Sequence, residues 1–173
     1  VQYPIIQKKR KGLIRESIRE LAKEFYFVSV GTIEPRKNHI LLLKVWKQMM
    51  DNSKKKIPKL VIIGKRGWKN TKTFSLLDKL KKKSENIIEI SDANDTEVAF
   101  LNKHSQSVLF PSFSEGFHLS MYEALHQSEK VLASNIETHT EILELIDKSL
   151  RNTAPISFNI SDWAEAIKFD NSK

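Results

Sequence analysis

The chain has 173 residues, no cysteine, 29 basic and 21 acidic side chains and a formal net charge of +8. That length suits one domain with a core of its own, and the lack of cysteine excludes a disulfide scaffold. No apolar run approaches the ~20 residues needed to cross a bilayer, and the basic cluster Lys8 to Lys11 is not followed by a signal-peptide core, so composition points to a cytoplasmic protein. Charge is segregated: residues 1 to 53 carry 11 basic and 5 acidic side chains, 54 to 83 carry 12 and 1, and 84 to 173 carry 6 and 15. Such a chain can turn a basic face to phosphates, to nucleic acid or to an anionic membrane surface, which would make it peripheral at the inner membrane face. The plainer reading is a solvated helix face.

Residues 1 to 12 read as a linker. Leu13, Ile14, Ile18, Leu21, Ala22 and Phe25 then recur at helical spacing and predict a leading helix. Phe25 to Val30 is aromatic and β-branched, a buried strand ending at Gly31. Its exit loop, Thr32 to Asn38, leads to a helix with Asn38 as N-cap and an apolar stripe of Leu41, Leu42, Val45, Trp46 and Met49. The order repeats. Leu60 to Ile63 is a strand, Gly64 to Trp68 a turn, and Phe74, Leu77 and Leu80 mark a basic helix whose lysines face solvent or a membrane. Ile87 to Ile90 is the third strand, Asp95 to Leu101 a short helix, and Val108 to Phe110 a strand stopped by Pro111.

A turn with Gly116 then enters a helix marked by Leu119, Tyr122, Leu125 and His126. Lys130 to Ser134, Thr138 to Ile146, Pro155 to Ile160 and Asp162 to Phe169 continue as strand, helix, strand and helix. Alternation of this kind predicts an α/β fold: a Rossmann-like parallel sheet of about six strands with helices on both faces. The boundaries are residues 1–25 for the linker and leading helix and 26–173 for the domain. Loops at the carboxyl ends of the strands line the ligand crevice of such a sheet.

Candidate chemistry falls on those loops. Arg36 and Lys37 follow the first strand, where fixed cations can neutralise a departing phosphate. Glu115 precedes the helix after the fourth strand and Glu123 lies within it, with seven residues between them. A helical rise of ~1.5 Å per residue separates the two by on the order of 10 Å, the reach of a nucleotide sugar across its diphosphate. The helix start between them offers backbone donors to an anion. The five histidines form no ligand motif and no Asp-x-Asp pair is present, so metal chemistry is not expected. No Gly-x-Ser-x-Gly elbow supports a serine nucleophile.

Val30 to Asn38, Ile63 to Trp68, Phe110 to Leu119 with Glu123 to Leu125, then Ala133 to Asn135 and Glu141, together resemble the C-terminal, donor-binding half of retaining GT-B glycosyltransferases of family 4. That group includes many bacterial mannosyl- and glucosyltransferases of polysaccharide assembly. The resemblance implies a nucleoside-diphosphate sugar as donor and no cofactor. It places Arg36 and Lys37 on the diphosphate, Glu115 toward the donor sugar as a third catalytic residue, and Glu123 toward the ribose. Gly31, Thr32, Gly116 and the amides around Phe117, His118 and Leu119 would contact substrate, and Ser91 and Asp92 would line the base. His118 and Ser120 stand where the family usually has Gly and Pro, and Ser128-Glu-Lys130 replaces a common Gly-x-Pro.

The resemblance also implies an N-terminal GT-B half, in cis or in trans, that holds the acceptor. Without it the chain would be an excised domain, a separate subunit or a degenerate relative, and inactive alone. A non-catalytic nucleotide-sugar or partner-binding module is the rival reading. Nucleic acid is not an expected partner, because the aromatics fall on core periods and are not interleaved with the basic run.

Overall fold

The computed structural model describes residues 12–117, 119–128, 130–146 and 155–167. Strands β1 (Tyr26–Val30), β2 (Lys59–Ile63), β3 (Ile87–Ile90), β4 (Val108–Phe110), β5 (Val131–Ser134) and β6 (Pro155–Ile156) alternate with helices. These are α1 (Glu16–Leu21), α2 (His39–Asn52), α3 (Thr71–Lys83), α4 (Asp95–His104), α5 (Leu119–Leu125), α6 (Glu137–Leu145) and α7 (Ile160–Ile167). The strands form one sheet in the order β3-β2-β1-β4-β5-β6, and every neighbouring pair is parallel.

Successive strand residues point to opposite faces, and here both faces are covered. Phe27, Leu60, Ile62, Leu109 and Leu132 pack with Trp46, Leu77 and Trp163 of α2, α3 and α7. Tyr26, Val28, Val61, Ile63 and Val108 pack with Ile18, Leu101, Met121 and Ile142 of α1, α4, α5 and α6. Continuous apolar runs such as Leu60-Val-Ile-Ile63 follow directly from burial on both sides. The buried indole of Trp46 meets Phe27 edge-on at 5.8 Å and donates to the Pro58 carbonyl at 2.9 Å, so its polar atom is satisfied.

The chain runs outward from β1 to β2 and β3, then returns to place β4 beside β1 before continuing to β5 and β6. Two loops therefore diverge where β1 and β4 end, and this is the point at which an open α/β sheet forms its crevice. Close backbone packing narrows the same end. A Cβ on Gly64 would lie 2.0 Å from the carbonyl oxygen of Gly31, which admits no side chain.

Three sequence expectations change. The leading helix is only Glu16–Leu21. Leu13 is exposed, and Phe25 packs on the opposite face of the sheet from Ile18. Arg15 is extended because its backbone and side chain are both drawn to Glu97. Asn38 precedes α2 but does not cap it. It adopts φ 55°, and its side-chain amide instead donates to the Pro111 carbonyl at 3.0 Å, joining the β1 and β4 loops. The sixth strand ends at Ile156, since the Ser157 carbonyl turns to accept the Trp163 indole at 2.8 Å. The lysines of α3 are exposed, as their helical spacing predicts, and two of them are paired at the surface: Lys81 with Glu89 at 2.7 Å and Lys83 with Asp51 at 2.9 Å. The Lys8 to Lys11 cluster and Phe169 lie outside the described residues. No described helix is long and apolar enough to cross a membrane.

Candidate functional site

The loop after β1 makes a single 3-10 turn, Pro35–Lys37, which proline favours at its start by fixing φ. That turn aims Arg36 and Lys37 across the crevice at the loop after β4. There the Arg36 guanidinium lies 2.7 Å from one Glu115 carboxylate oxygen, and the Lys37 ammonium lies 2.7 Å from the other. Arg36 also pairs with Glu34 at 2.7 Å. The Ser112 hydroxyl donates to Glu115 at 2.6 Å, a bond made possible by their spacing of three residues in a turn. Arg36 is half exposed, whereas the Lys37 side chain is 11% exposed and that of Glu115 only 4%. A carboxylate so enclosed requires its partners, because an unpaired buried charge is costly.

The backbone holds this cluster in place. The Phe113 amide donates to the Arg36 carbonyl at 2.8 Å. The Thr138 hydroxyl, in the first turn of α6, donates to the Glu115 carbonyl at 3.0 Å. Gly31, at φ +140°, lies under the Lys37 stem: a Cβ there would sit 3.4 Å from its Cε. Beneath lie two buried histidines. Nδ1 of His139 is 2.9 Å from the Ser134 carbonyl, which can only accept, so that nitrogen carries the proton. His39, the first residue of α2, has neither ring nitrogen hydrogen-bonded among the described residues. Burial, and secondarily the Lys37 charge, pushes its pKa down to about 4, with Glu115 acting in the opposite sense. Burial also lowers that of His139.

Of the residues singled out in the sequence, the structure thus brings together Arg36, Lys37 and Glu115, with Gly31 beneath them. Thr32 is exposed on the same loop. Glu123 lies on α5, and among the described residues its carboxylate has no hydrogen bond or ion pair. A Cβ on Gly116 would meet nothing within 4 Å, so glycine there leaves open space and relieves no clash. Phe117 is exposed. The Leu119 amide donates to the Phe117 carbonyl at 3.0 Å. His118 lies outside the described residues.

Ser91 and Asp92 follow β3, with the β2 loop between them and the cationic pair. Asp92 is engaged by Arg15 at 2.9 Å. Arg15 also grips Glu97, which completes a capping box with Asn94 at the start of α4. Sequence reasoning missed Glu34, Ser112, His39, Arg15 and Thr138. Only Ser112 carried a local signal, its spacing from Glu115. Among the described residues no group of three His, Asp or Glu side chains is placed to hold a metal ion.

This strand order, with loops diverging between β1 and β4, defines a Rossmann-like domain of the GT-B kind. Residues 11–168 match the family described as glycosyl transferases group 1, and the chain belongs to that family. It is 28% identical over 124 residues to the O-antigen chain mannosyltransferase B of Escherichia coli, covering 72% of this chain and 32% of that protein. It is 31% identical over 145 residues to the serotype-specific mannosyltransferase WbdA of Escherichia coli, covering 82% and 17%. The chain therefore spans about a third or less of these curated relatives.

Among solved structures, TarM superposes with a TM-score of 0.61 at 24% identity, over 84% of this chain and 28% of that one. The UDP-forming α,α-trehalose-phosphate synthase of Burkholderia xenovorans, solved with glucose-6-phosphate, gives 0.70 at 11% identity, over 87% and 37%. These two likenesses concern the fold.

Proposed function

We propose that the chain is the donor-binding half of a retaining glycosyltransferase of family 4, holding a nucleoside-diphosphate sugar at the crevice between β1 and β4 during polysaccharide or glycoconjugate assembly. The observation that carries this reading is the convergence of Arg36 and Lys37 on Glu115 across the switch point. As the bond between the sugar and the diphosphate breaks, negative charge grows on the leaving oxygen, and preplaced N–H donors stabilise it without a metal ion. Glu115 holds both cations in position before the donor arrives and, in this reading, lies toward the donor sugar. Glu123, on α5 and without a side-chain partner among the described residues, is available to the ribose. The mannosyltransferase relatives support a hexose as the group transferred.

A second Rossmann-like half, in cis or in trans, completes the enzyme by holding the acceptor. Exposed aromatic rings favour such cover: Trp68, Phe113, Phe117 and Phe158 all lie in loops after strands, on the rim that carries the crevice. With no acceptor held beside the anomeric carbon, the lone chain lacks the proximity contribution to rate.

Calorimetric titration with GDP, UDP and ADP, with and without EDTA, tests the donor site. Binding of at least one nucleotide should persist in EDTA. Strict dependence on a divalent ion would contradict the fixed-charge mechanism. Labelled nucleotide sugars should give no transfer with the lone chain, and robust transfer would show that no second half is needed.

A further inference from the structure

The loop after β2 breaks two local rules at one place. Trp68 is 76% exposed, while Trp46 and Trp163 are completely buried. Lys69 adopts φ 56°, the left-handed region that residues with a Cβ avoid. Such strain persists only where the surroundings impose it, and it collects at ligand sites. Here the base of the loop is fixed. Ile33 and Arg66 form a parallel bridge, the Gly67 amide donates to the Ile33 carbonyl at 3.1 Å, and Arg66 is held by Asp78 and Glu89. A Cβ on Gly67 would lie 3.1 Å from Thr32 Cγ2 and 3.3 Å from Glu34 Cβ. Trp68 is thus presented on a rigid support that packs against the loop carrying Arg36.

The charge on this loop differs from that at the cationic pair. Arg36 and Lys37 are matched by Glu34 and Glu115. Among the described residues, Lys65 and Lys69 have no carboxylate within ion-pair distance, and the Lys69 ammonium sits 5.0 Å over the Trp68 ring. An exposed indole beside the Lys69 ammonium, on a loop that also carries Lys65, suits a ligand that joins a neutral planar ring to negatively charged phosphates. Topology supplies the path: β2 lies between β1 and β3, so a ligand reaching from Arg36 to the Ser91–Asp92 loop must cross the β2 loop.

We propose that the β2 loop is the nucleoside subsite, with the Trp68 indole stacking on the base of the bound nucleotide and Lys65 and Lys69 meeting its phosphate charge. This inference rests on the donor-binding reading above, and it adds a base-contacting residue and a specificity element to that site. Base selection would then come from stacking strength and from groups at the ring edge.

The test follows tryptophan emission and heat together while GDP, UDP and ADP are titrated into the chain. Trp46 and Trp163 are enclosed, so a change in emission reports on Trp68. Emission should shift along the calorimetric isotherm. Trp68→Phe should abolish that shift yet hold affinity within about threefold, and Trp68→Leu should weaken binding by about tenfold, the range of base–aromatic stacking. Lys65→Gln with Lys69→Gln should flatten the salt dependence of binding. Nucleotide binding with unchanged emission, or with full affinity in Trp68→Leu, overturns this subsite and leaves the donor-binding reading standing. Failure of the unaltered chain to bind any of the three nucleotides overturns both. Because Trp68 is exposed, its replacement should leave the thermal midpoint unchanged, which separates lost binding from lost folding.

Discussion

Lys37 and Glu115 sit on loops that follow non-consecutive strands, yet their charged atoms are 2.7 Å apart and both side chains are nearly enclosed. A pair of this kind is worth little as net stability but costs a great deal to break, because the survivor stays buried and unmatched. Lys37→Ala should weaken nucleotide binding by roughly 1.5 to 3 kcal/mol, the value of a lost charged hydrogen bond, and should also lower stability. Glu115→Ala should destabilise as well. The double variant should be less damaged than the two single effects predict, with a coupling of at least about 1 kcal/mol in a denaturation cycle. Strict additivity would show that the pair does not act as a unit.

Glu123 is different, since its carboxylate has no partner among the described residues. Glu123→Ala should leave the thermal midpoint nearly unchanged and weaken nucleotide binding by on the order of tenfold, as for one hydrogen bond to a charged group. Calorimetry on the variant checks this, and full affinity would remove Glu123 from the site.

How far the sequence disclosed this arrangement depended on the range of the interactions. Strands buried on both faces are continuous apolar runs, so the alternation of β and α elements was legible, and with it the rule that the useful loops follow strands. Arg36, Lys37 and Glu115 could be placed on one rim by that rule alone. Their mutual pairing could not, because it depends on β4 returning beside β1. Asn38 misled for a related reason: a residue type that commonly caps a helix spends its side chain on Pro111 instead. The leading helix was overextended because Phe25 fits its period, although that ring belongs to the opposite face of the sheet.

Arg15 ties the segment entering the domain to the start of α4. Its guanidinium bonds hold the Glu97 carboxyl well below the ordinary range, at about 2. Glu97 is 1% exposed, whereas Asp92, the other partner of Arg15, is 71% exposed. Arg15→Ala should therefore destabilise the fold measurably, by leaving a buried carboxylate under-matched. Asp92→Ala should cost less than about 0.5 kcal/mol, as for an exposed pair. Urea denaturation of the two variants separates these outcomes, and equal losses would contradict the difference in burial.

The pole opposite the crevice tests whether the excess positive charge has a partner. Lys55, Lys56 and Lys83 line a cleft of about 280 Å³ with Met50 and Ile57 on its wall. Binding to anionic vesicles should fall when Lys54, Lys55 and Lys56 are changed to Gln, and should weaken as salt rises. Nucleotide affinity should not change. Equal binding to neutral and anionic vesicles would leave these lysines as a solvated surface.

His39 makes stability depend on pH in a defined direction. The folded protein keeps the ring neutral down to about pH 4, while an unfolded chain takes up a proton near 6.5. Between these values the unfolded state binds more protons, so stability rises with pH. The contribution is fully present above about pH 6.5 and is lost as pH falls toward 4, by about 2 kcal/mol at pH 5. His139, also lowered by burial, acts in the same sense. Glu97 does not interfere, because its effect begins only below its unfolded value of 4.5. Since neither ring nitrogen of His39 is hydrogen-bonded among the described residues, His39→Leu removes the titration and breaks none of the described bonds. Thermal melts between about pH 7 and pH 5 should show a smaller loss of midpoint in the variant than in the unaltered chain. Identical losses in the two proteins would mean that His39 is not the group being protonated on unfolding.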